Sequence, residues 1–210
     1  MTEEQWLLCD DPKRMLEYLK GRVRKRKLRL FAVACYRRAR DNPSESAPDR
    51  AVCVAELFAD GLLPYSTLRA AGLAVMLDLG VNEWCGSRKV AALVLAQRSF
   101  CRERAALLLQ VADGGRGGDS RFQLATGAEA LRCIFGNPFR PLTISPSWLT
   151  STVTSLARGM YDSRDFSAMP ILADALQDSG CSDEAILAHC RGNSPHCRGC
   201  HVTDAILAKS

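Results

Sequence analysis

The chain has 210 residues, of which 47% are hydrophobic and 24% are charged, and its net charge is +5. This length suits one large domain or two small ones, and the apolar content excludes a disordered chain. The N-terminal residues are acidic and polar, and every apolar run is too short to span a bilayer. We therefore expect a cytoplasmic protein that does not engage a membrane.

Helical patterns follow one another along the chain. Thr2–Gln5 match a capping box, and Asp10 or Asp11, followed by Pro12, marks a second helix start. Apolar residues that recur three and four positions apart share one face of a helix. Two such faces are predicted: Leu28, Phe31, Ala32, Cys35 and Tyr36 form one, and Val52, Ala55, Leu57 and Phe58 form the other. Further starts are predicted at Ser145 or Ser147 and at Ser182, and Pro170 is expected either to kink a helix or to mark its start. The sequence predicts an all-α protein, a multi-helix bundle of about nine to eleven short helices with no substantial sheet.

One proline-rich segment interrupts this pattern. Residues 136–147, GNPFRPLTISPS, contain three prolines, which exclude a helix along their whole length. We interpret residues 1–135 as an N-terminal helical region and residues 148–210 as a C-terminal one. The segment between them is either a linker between two domains or a strap within a single domain.

The ten cysteines do not imply disulfides, since thiols stay reduced in the cytoplasm. Five of them lie among Leu, Ala, Val or Phe, where a free thiol behaves as a small hydrophobe. We interpret these five as core residues: Cys9, Cys35, Cys53, Cys101 and Cys133.

Long stretches at both ends and in the C-terminal half are similar to a bacterial family that is expanded in planctomycetes. They are WLLCDDPKRMLEYLKG, RKLRLFAVACYRR, RCIFGNPFRP, WLTSTVTSLARGMYDSRDFSAMPILADALQDSGC and ILAHCRGNSPHCRGCHVTDAILAK. The resemblance implies a helical protein of the bacterial cytoplasm, sometimes one of many paralogues, with no assigned function and no catalytic residues. Near the C-terminus the family pattern matches His189, Cys190, Arg191, Pro195, His196, Arg198, Gly199 and Cys200. Cys197 and His201 depart from it, because Val and Trp are usual there.

The segment HCRGNSPHCRGCH, residues 189–201, holds all three histidines and three cysteines. Thiolate and imidazole are preferred ligands of Zn²⁺, and four of them close a tetrahedral structural site. By spacing alone, the segment offers Cys190, His196, Cys197 and Cys200, with His189 and His201 as alternatives. The family positions favour His189, Cys190, His196 and Cys200, although neighbours on a helix point apart. Our hypothesis is that the segment binds one zinc ion. The alternative is a helix–loop–helix corner in which these side chains pack without binding a metal.

The letters CRGCH within this segment also match the attachment motif of c-type haem. That chemistry needs export to a compartment that supplies haem. Since no export signal is present, and since Cys197 and His201 are the two departures from the family pattern, haem c is not expected.

A second feature is the concentration of positive charge between Lys20 and Arg40, where ten residues are basic and none is acidic. Such a segment attracts phosphates or an acidic partner. Alternatively, the segment is the solvated start of a helix whose apolar face is buried. The candidate contacts are Arg22, Arg24, Lys25, Arg26, Lys27 and Arg29.

No nucleophile, cofactor loop or acid/base pair stands out, so no catalytic residue is predicted. We predict an interaction or scaffold module that recognises an acidic protein partner. The first alternative is a zinc-stabilised domain that binds nucleic acid through the segment 20–40. The second is a hydrolase that uses the C-terminal Cys/His cluster.

Overall fold

The structure is a computed structural model that describes residues 1–38, 46–77, 95, 97 and 120–209. These ranges contain ten α-helices and one short 3-10 helix, Pro146–Trp148, and no strand, which confirms the all-α prediction. The α-helices are α1 (Glu3–Leu8), α2 (Pro12–Tyr18), α3 (Lys25–Arg38), α4 (Ala47–Ala59), α5 (Tyr65–Leu77), α6 (Ser120–Phe135), α7 (Ser151–Ser163), α8 (Met169–Asp178), α9 (Glu184–Arg191) and α10 (His201–Ile206). In this described part, none of the helices is both long and apolar enough to cross a membrane.

The first two helix starts are as predicted. The backbone amide of Thr2 donates to Oε1 of Gln5 at 3.0 Å, and the amide of Gln5 donates to Oγ1 of Thr2 at 3.2 Å. Asp11 caps α2, because its Oδ1 accepts from the amides of Lys13 and Arg14. Local hydrogen bonding of this kind is fixed by a few neighbouring residues, so the sequence is sufficient to predict it.

Of three later helix starts, two differ from the prediction and the third decides between its alternatives. Asp183 caps α9 in place of Ser182, since its carboxylate accepts from the amides of the next turn. Thr150 caps α7, whereas Ser145 precedes only the 3-10 helix. Pro170 lies in the first turn of α8, where its missing amide hydrogen costs nothing.

The chain divides into two compact units: Met1–Leu7 with Glu129–Ser210, called the first unit, and Leu8–Ala128, the second. In the second unit, α4 packs against α3 and α5. The whole predicted face of α3 is buried, but Cys53 is exposed rather than in the core. It lies on the face of α4 opposite the buried Ala51 and Ala55, since two residues turn a helix by about 200°. Cys9 is half-buried, Cys35 is buried, and Cys101 lies outside the described residues.

The first unit has one apolar core, to which α7, α8, α9 and α10 contribute. The segment 136–147 belongs to this unit, and its Leu142 and Ile144 pack against the core. The short helix α1 is joined to the same segment, because the indole nitrogen of Trp6 donates to the carbonyl oxygen of Gly136 at 3.1 Å. Residues 136–147 therefore belong to the first unit and contribute to its core.

Candidate metal centre

Four side chains of the first unit bring their ligand atoms together: Cys133, His189, His196 and Cys200. These atoms all lie within 4.8 Å of one another. Cys133 and Cys200 are buried, and the two histidines are half-buried. Two thiols and two imidazoles at this separation form a donor set that can hold a metal ion. We call these four residues the Cys₂His₂ group.

The fold supplies each member from a different place. Cys133 lies in the last turn of α6, and His189 lies in the last turn of α9. His196 belongs to the non-helical loop 192–200, and Cys200 is the residue directly before α10. Two helix ends and one loop therefore converge, which is a common way to build a compact metal site.

The distances within the group suit a tetrahedral ion. Nε2 of His189 lies 3.2 Å from Sγ of Cys200, and Nδ1 of His196 lies 3.9 Å from Sγ of Cys133. Bonds of about 2.0 Å to nitrogen and about 2.3 Å to sulfur place tetrahedral ligands roughly 3.3–3.8 Å apart. Only small side-chain movements would be needed to enclose an ion.

Two further members of the predicted segment lie beside the group without belonging to it. Sγ of Cys197 is 3.9 Å from Sγ of Cys133. Nδ1 of His201 is 2.9 Å from the carbonyl oxygen of Cys133, and its ring centroid is 4.3 Å from that of His189. His201 thus holds the backbone of one member and the ring of another.

Gly136 makes room for His201. Gly136 follows α6 directly and has a φ of +64°. A Cβ atom at this position would lie 2.8 Å from Cδ2 of His201, closer than side-chain carbons pack. Glycine is thus required here both for the left-handed backbone and for the close approach of the ring.

The loop that carries His196 is tied to the rest of the first unit. Arg198 is buried, and its guanidinium carbon lies 4.5 Å from the ring centroid of Tyr161 on α7. The ammonium nitrogen of Lys209 lies 4.6 Å from the same ring. Cations over an aromatic face are attracted by its quadrupole, so these contacts fix both ends of the segment that contains Cys200.

The pKa values of the two thiols of the group shift in opposite directions. Burial opposes ionisation of Cys200, but hydrogen bonds from Cys133 and the surrounding imidazoles outweigh it and hold the pKa of Cys200 well below its usual range. Hydrogen bonding to Cys197 and Cys200, together with burial, raises the pKa of Cys133. Opposite shifts are expected for this pair, because ionisation of one buried thiol disfavours ionisation of its neighbour.

The histidines are suited to binding an ion. Burial lowers the pKa of His189, so this ring is neutral and keeps a lone pair for a metal. Nε2 of His196 is buried and has no hydrogen-bond partner among the described residues. A buried polar atom without a partner costs free energy, and only an ion bound through Nε2, rather than through the Nδ1 that lies near Cys133, would provide one.

The sequence-predicted residues fall into three sets. His189, His196 and Cys200 are brought together, whereas Cys197 and His201 lie next to them. Cys190 is not in the group, because successive helical residues point about 100° apart and His189 takes the inward direction. Its thiol lies in the apolar core, where burial raises its pKa to about 12.

Cys133 is the member that sequence analysis missed. It was interpreted as a core cysteine, and it is indeed buried within the apolar core. It precedes His196 by 63 positions, so no spacing rule connects the two. Only the occurrence of Cys133 in RCIFGNPFRP, one of the stretches that resemble the bacterial family, distinguished it in the sequence.

The basic segment is in part internal to the second unit. Arg29 is 3% exposed, and its guanidinium donates to the carbonyl oxygens of Leu95 and Gln97. Arg26 forms an ion pair with Asp60 at 2.8 Å. The prediction of a phosphate or acidic-partner contact is therefore wrong for Arg29, since a buried guanidinium cannot reach a ligand.

The remaining basic candidates lie nearer the surface. Arg22, Arg24 and Lys25 are exposed, and Lys27 is half-buried. Arg22 stacks on Tyr18, with its guanidinium carbon 4.6 Å from the ring centroid, and donates to the Tyr18 hydroxyl. Three cationic side chains thus remain on the surface around the start of α3.

No family model, curated protein or solved structure matches the chain. The resemblance to the planctomycete-expanded family therefore stays a prediction, and function has to be argued from the residues themselves.

Proposed function

We propose that the protein is a helical interaction module whose first unit is stabilised by one structural zinc ion. The observation that carries this proposal is the convergence of the ligand atoms of Cys133, His189, His196 and Cys200 to within 4.8 Å. Zinc favours this combination of thiolate and imidazole, and it favours the tetrahedral arrangement that four such ligands provide.

A structural role is supported over a catalytic one by the number and burial of the ligands. Catalytic zinc has three protein ligands and keeps its fourth position open for water, whereas here four side chains are available. Burial also argues against the hydrolase alternative. Nε2 of His189 lies within reach of Sγ of Cys200, but Cys200 is 0% exposed, so a substrate has no path to this thiol.

The test is the zinc content of protein freed of any affinity tag and kept reduced. We expect one zinc per chain in the unmodified protein. Single substitutions of the group, Cys133→Ser, His189→Gln, His196→Gln and Cys200→Ser, each remove a ligand and should reduce the bound zinc to a small fraction, measured by elemental analysis after dialysis.

Three matched variants serve as controls. Cys190→Ala removes the neighbour of His189, Cys53→Ser removes an exposed cysteine of the second unit, and Cys197→Ser removes the thiol next to the group. All three should keep one zinc per chain. A wild-type protein without zinc, or retention of zinc after Cys133→Ser, would contradict the proposal.

Zinc binding should depend on pH through Cys133. Its raised pKa favours the protonated thiol near neutrality, while the lowered pKa values of Cys200 and His189 favour a thiolate and a neutral ring. Zinc must therefore displace one proton, and its apparent affinity should rise about tenfold for each pH unit and fall correspondingly on acidification. Competition with a chromophoric chelator between about pH 7.5 and 8.5, above the ordinary imidazole pKa, measures this slope. A slope near two in the logarithm of apparent zinc affinity against pH would mean that both thiols are protonated before zinc binds.

We also propose that the exposed cations around the start of α3 contact an acidic partner. Arg22, Arg24 and Lys25 support this, because they are exposed on one short segment that contains no acid. The nucleic-acid alternative would use the same side chains, without sequence choice.

Charge reversal tests the surface. Arg22→Glu with Lys25→Glu should weaken binding to polyglutamate about tenfold or more, since attraction becomes repulsion. Lys13→Glu with Arg14→Glu makes the same charge change at exposed positions of α2 and should leave binding nearly unchanged. Fluorescence anisotropy at about 50 and 200 mM salt measures both, with duplex DNA in parallel. Binding to DNA with a steep salt dependence, and none to polyglutamate, would favour the nucleic-acid alternative.

A further inference from the structure

Three thiols meet at the proposed zinc centre, but only two of them belong to the Cys₂His₂ group. Cys133 and Cys200 are buried, at 2% and 0% exposure, whereas Cys197 is half-buried. The Sγ atoms of Cys197 and Cys133 are 3.9 Å apart. A partly accessible thiol thus lies in contact with a buried ligand sulfur.

We propose that Cys197 is a peroxide-modified thiol, and that its oxidation forms a disulfide with Cys133 and releases the zinc. This inference rests on the proposed zinc site. It assigns a regulatory chemistry to the one thiol of the centre that has no ligand role.

The chemistry proceeds in two balanced steps, with hydrogen peroxide or an organic hydroperoxide as the oxidant. Cys197 attacks the peroxide O–O bond, which gives the sulfenic acid of Cys197 and releases water or an alcohol. The thiolate of Cys133 then attacks this sulfur, which forms the S–S bond and releases hydroxide. Two electrons pass from the two sulfurs to the peroxide, and no other oxidant is needed.

The position of each residue supports this sequence of steps. Residues 192–195 at the start of the loop are exposed and Cys197 itself is half-buried, so a small oxidant can approach its sulfur. Cys133 is held in the last turn of α6, while Cys197 belongs to a non-helical loop. A disulfide needs the sulfurs to close from 3.9 Å to about 2.05 Å, and Cys197 is the partner that lies outside a helix.

Release of zinc follows from the loss of a ligand. Once its sulfur is part of a disulfide, Cys133 carries no negative charge and no longer serves as a thiolate ligand. His189, His196 and Cys200 remain, which leaves one thiolate and two imidazoles. Zinc affinity should therefore drop, and reduction of the disulfide should restore it.

The experiment begins with tag-free, zinc-loaded protein whose metal content has been measured. Hydrogen peroxide is added, zinc release is followed with a chromophoric chelator, and the products are mapped by mass spectrometry without reduction. We expect one zinc released per Cys133–Cys197 disulfide formed, with recovery after dithiothreitol. Cys197→Ser should bind zinc normally and release it at least about tenfold more slowly, since the other two thiols of the centre, Cys133 and Cys200, are buried. Cys53→Ser, which removes an exposed thiol elsewhere, should behave as the unmodified protein.

The other possible outcomes distinguish a failure of the redox inference from a failure of the proposed zinc site. Zinc release from Cys197→Ser at the unmodified rate, a disulfide between Cys133 and Cys200, or loss of zinc on making Cys197→Ser would overturn this inference. Protein that contains no zinc before peroxide is added would overturn the proposed zinc site itself. A loaded protein whose peptide map lacks the Cys133–Cys197 disulfide contradicts only the redox inference.

Discussion

Removal of zinc should lower the free energy of unfolding of this protein by several kcal/mol. Zinc that binds only the folded chain contributes about 4 kcal/mol when free zinc exceeds Kd about a thousandfold. The contribution should be large here, because the ligands come from α6, α9 and the loop before α10. Without the ion, nothing replaces the bonds that hold these elements together at the Cys₂His₂ group.

Guanidinium unfolding followed by circular dichroism, with zinc and with a chelator, measures this effect. The midpoint should fall on chelation and return when zinc is restored. Cys133→Ser provides the control, because it should unfold at the lower midpoint whether or not the chelator is present. If chelation removes the zinc but leaves the unfolding curve of the unmodified protein unchanged, the ion has no structural role.

Replacing Trp6 by alanine should strongly destabilise the protein. The indole is fully buried, and it belongs to a helix of only six residues that cannot persist without tertiary contacts. Loss of a buried tryptophan costs about 3–5 kcal/mol, so α1 should detach from the segment 136–147 at Gly136.

Trp6→Phe separates packing from hydrogen bonding. Phenylalanine retains most of the apolar contact but loses the bond to the carbonyl oxygen of Gly136, which is worth about 1 kcal/mol. Thermal unfolding of the two variants should therefore differ clearly. Equal losses would show that the hydrogen bond dominates, and an alanine variant as stable as the unmodified protein would contradict the docking of α1. Glu3 assists this docking, because Asn137 and Arg140 donate to its carboxylate at 2.7 Å each.

The helical fold was predictable because its determinants are local. The capping pair of Thr2 and Gln5, the Asp11 cap and the buried face of α3 each depend on residues within a few positions of one another. Prediction failed where two neighbouring caps compete, as at Ser182 and Asp183. It also failed for Cys53, because composition alone does not distinguish the two faces of α4.

The metal centre was predictable only in the part that is contiguous in sequence. His189, His196 and Cys200 lie within one short segment, and their residue types indicate zinc. Cys133 joins them only through the tertiary fold, while its apolar neighbours are those of an ordinary core cysteine. Cys190 was included because both its spacing and the family pattern favour it, but helix geometry directs it away from the other three.

Charge patterns carried less structural information than the cysteines and histidines. The run from Lys20 to Arg40 indicates a basic surface, yet Arg29 is internal and Arg26 is paired with Asp60. A long basic side chain can be buried when carbonyl oxygens or a carboxylate accept its hydrogen bonds, and the sequence does not show where those acceptors lie.

X-ray absorption at the zinc edge of tag-free, reduced protein tests the central claim most directly. We predict a first shell of two sulfurs at about 2.3 Å and two nitrogens at about 2.0 Å, with Cys133→Ser losing this spectrum and Cys197→Ser keeping it. A shell with three sulfurs would place Cys197 among the ligands. A shell dominated by oxygen, or protein without zinc, would contradict a closed Cys₂His₂ centre.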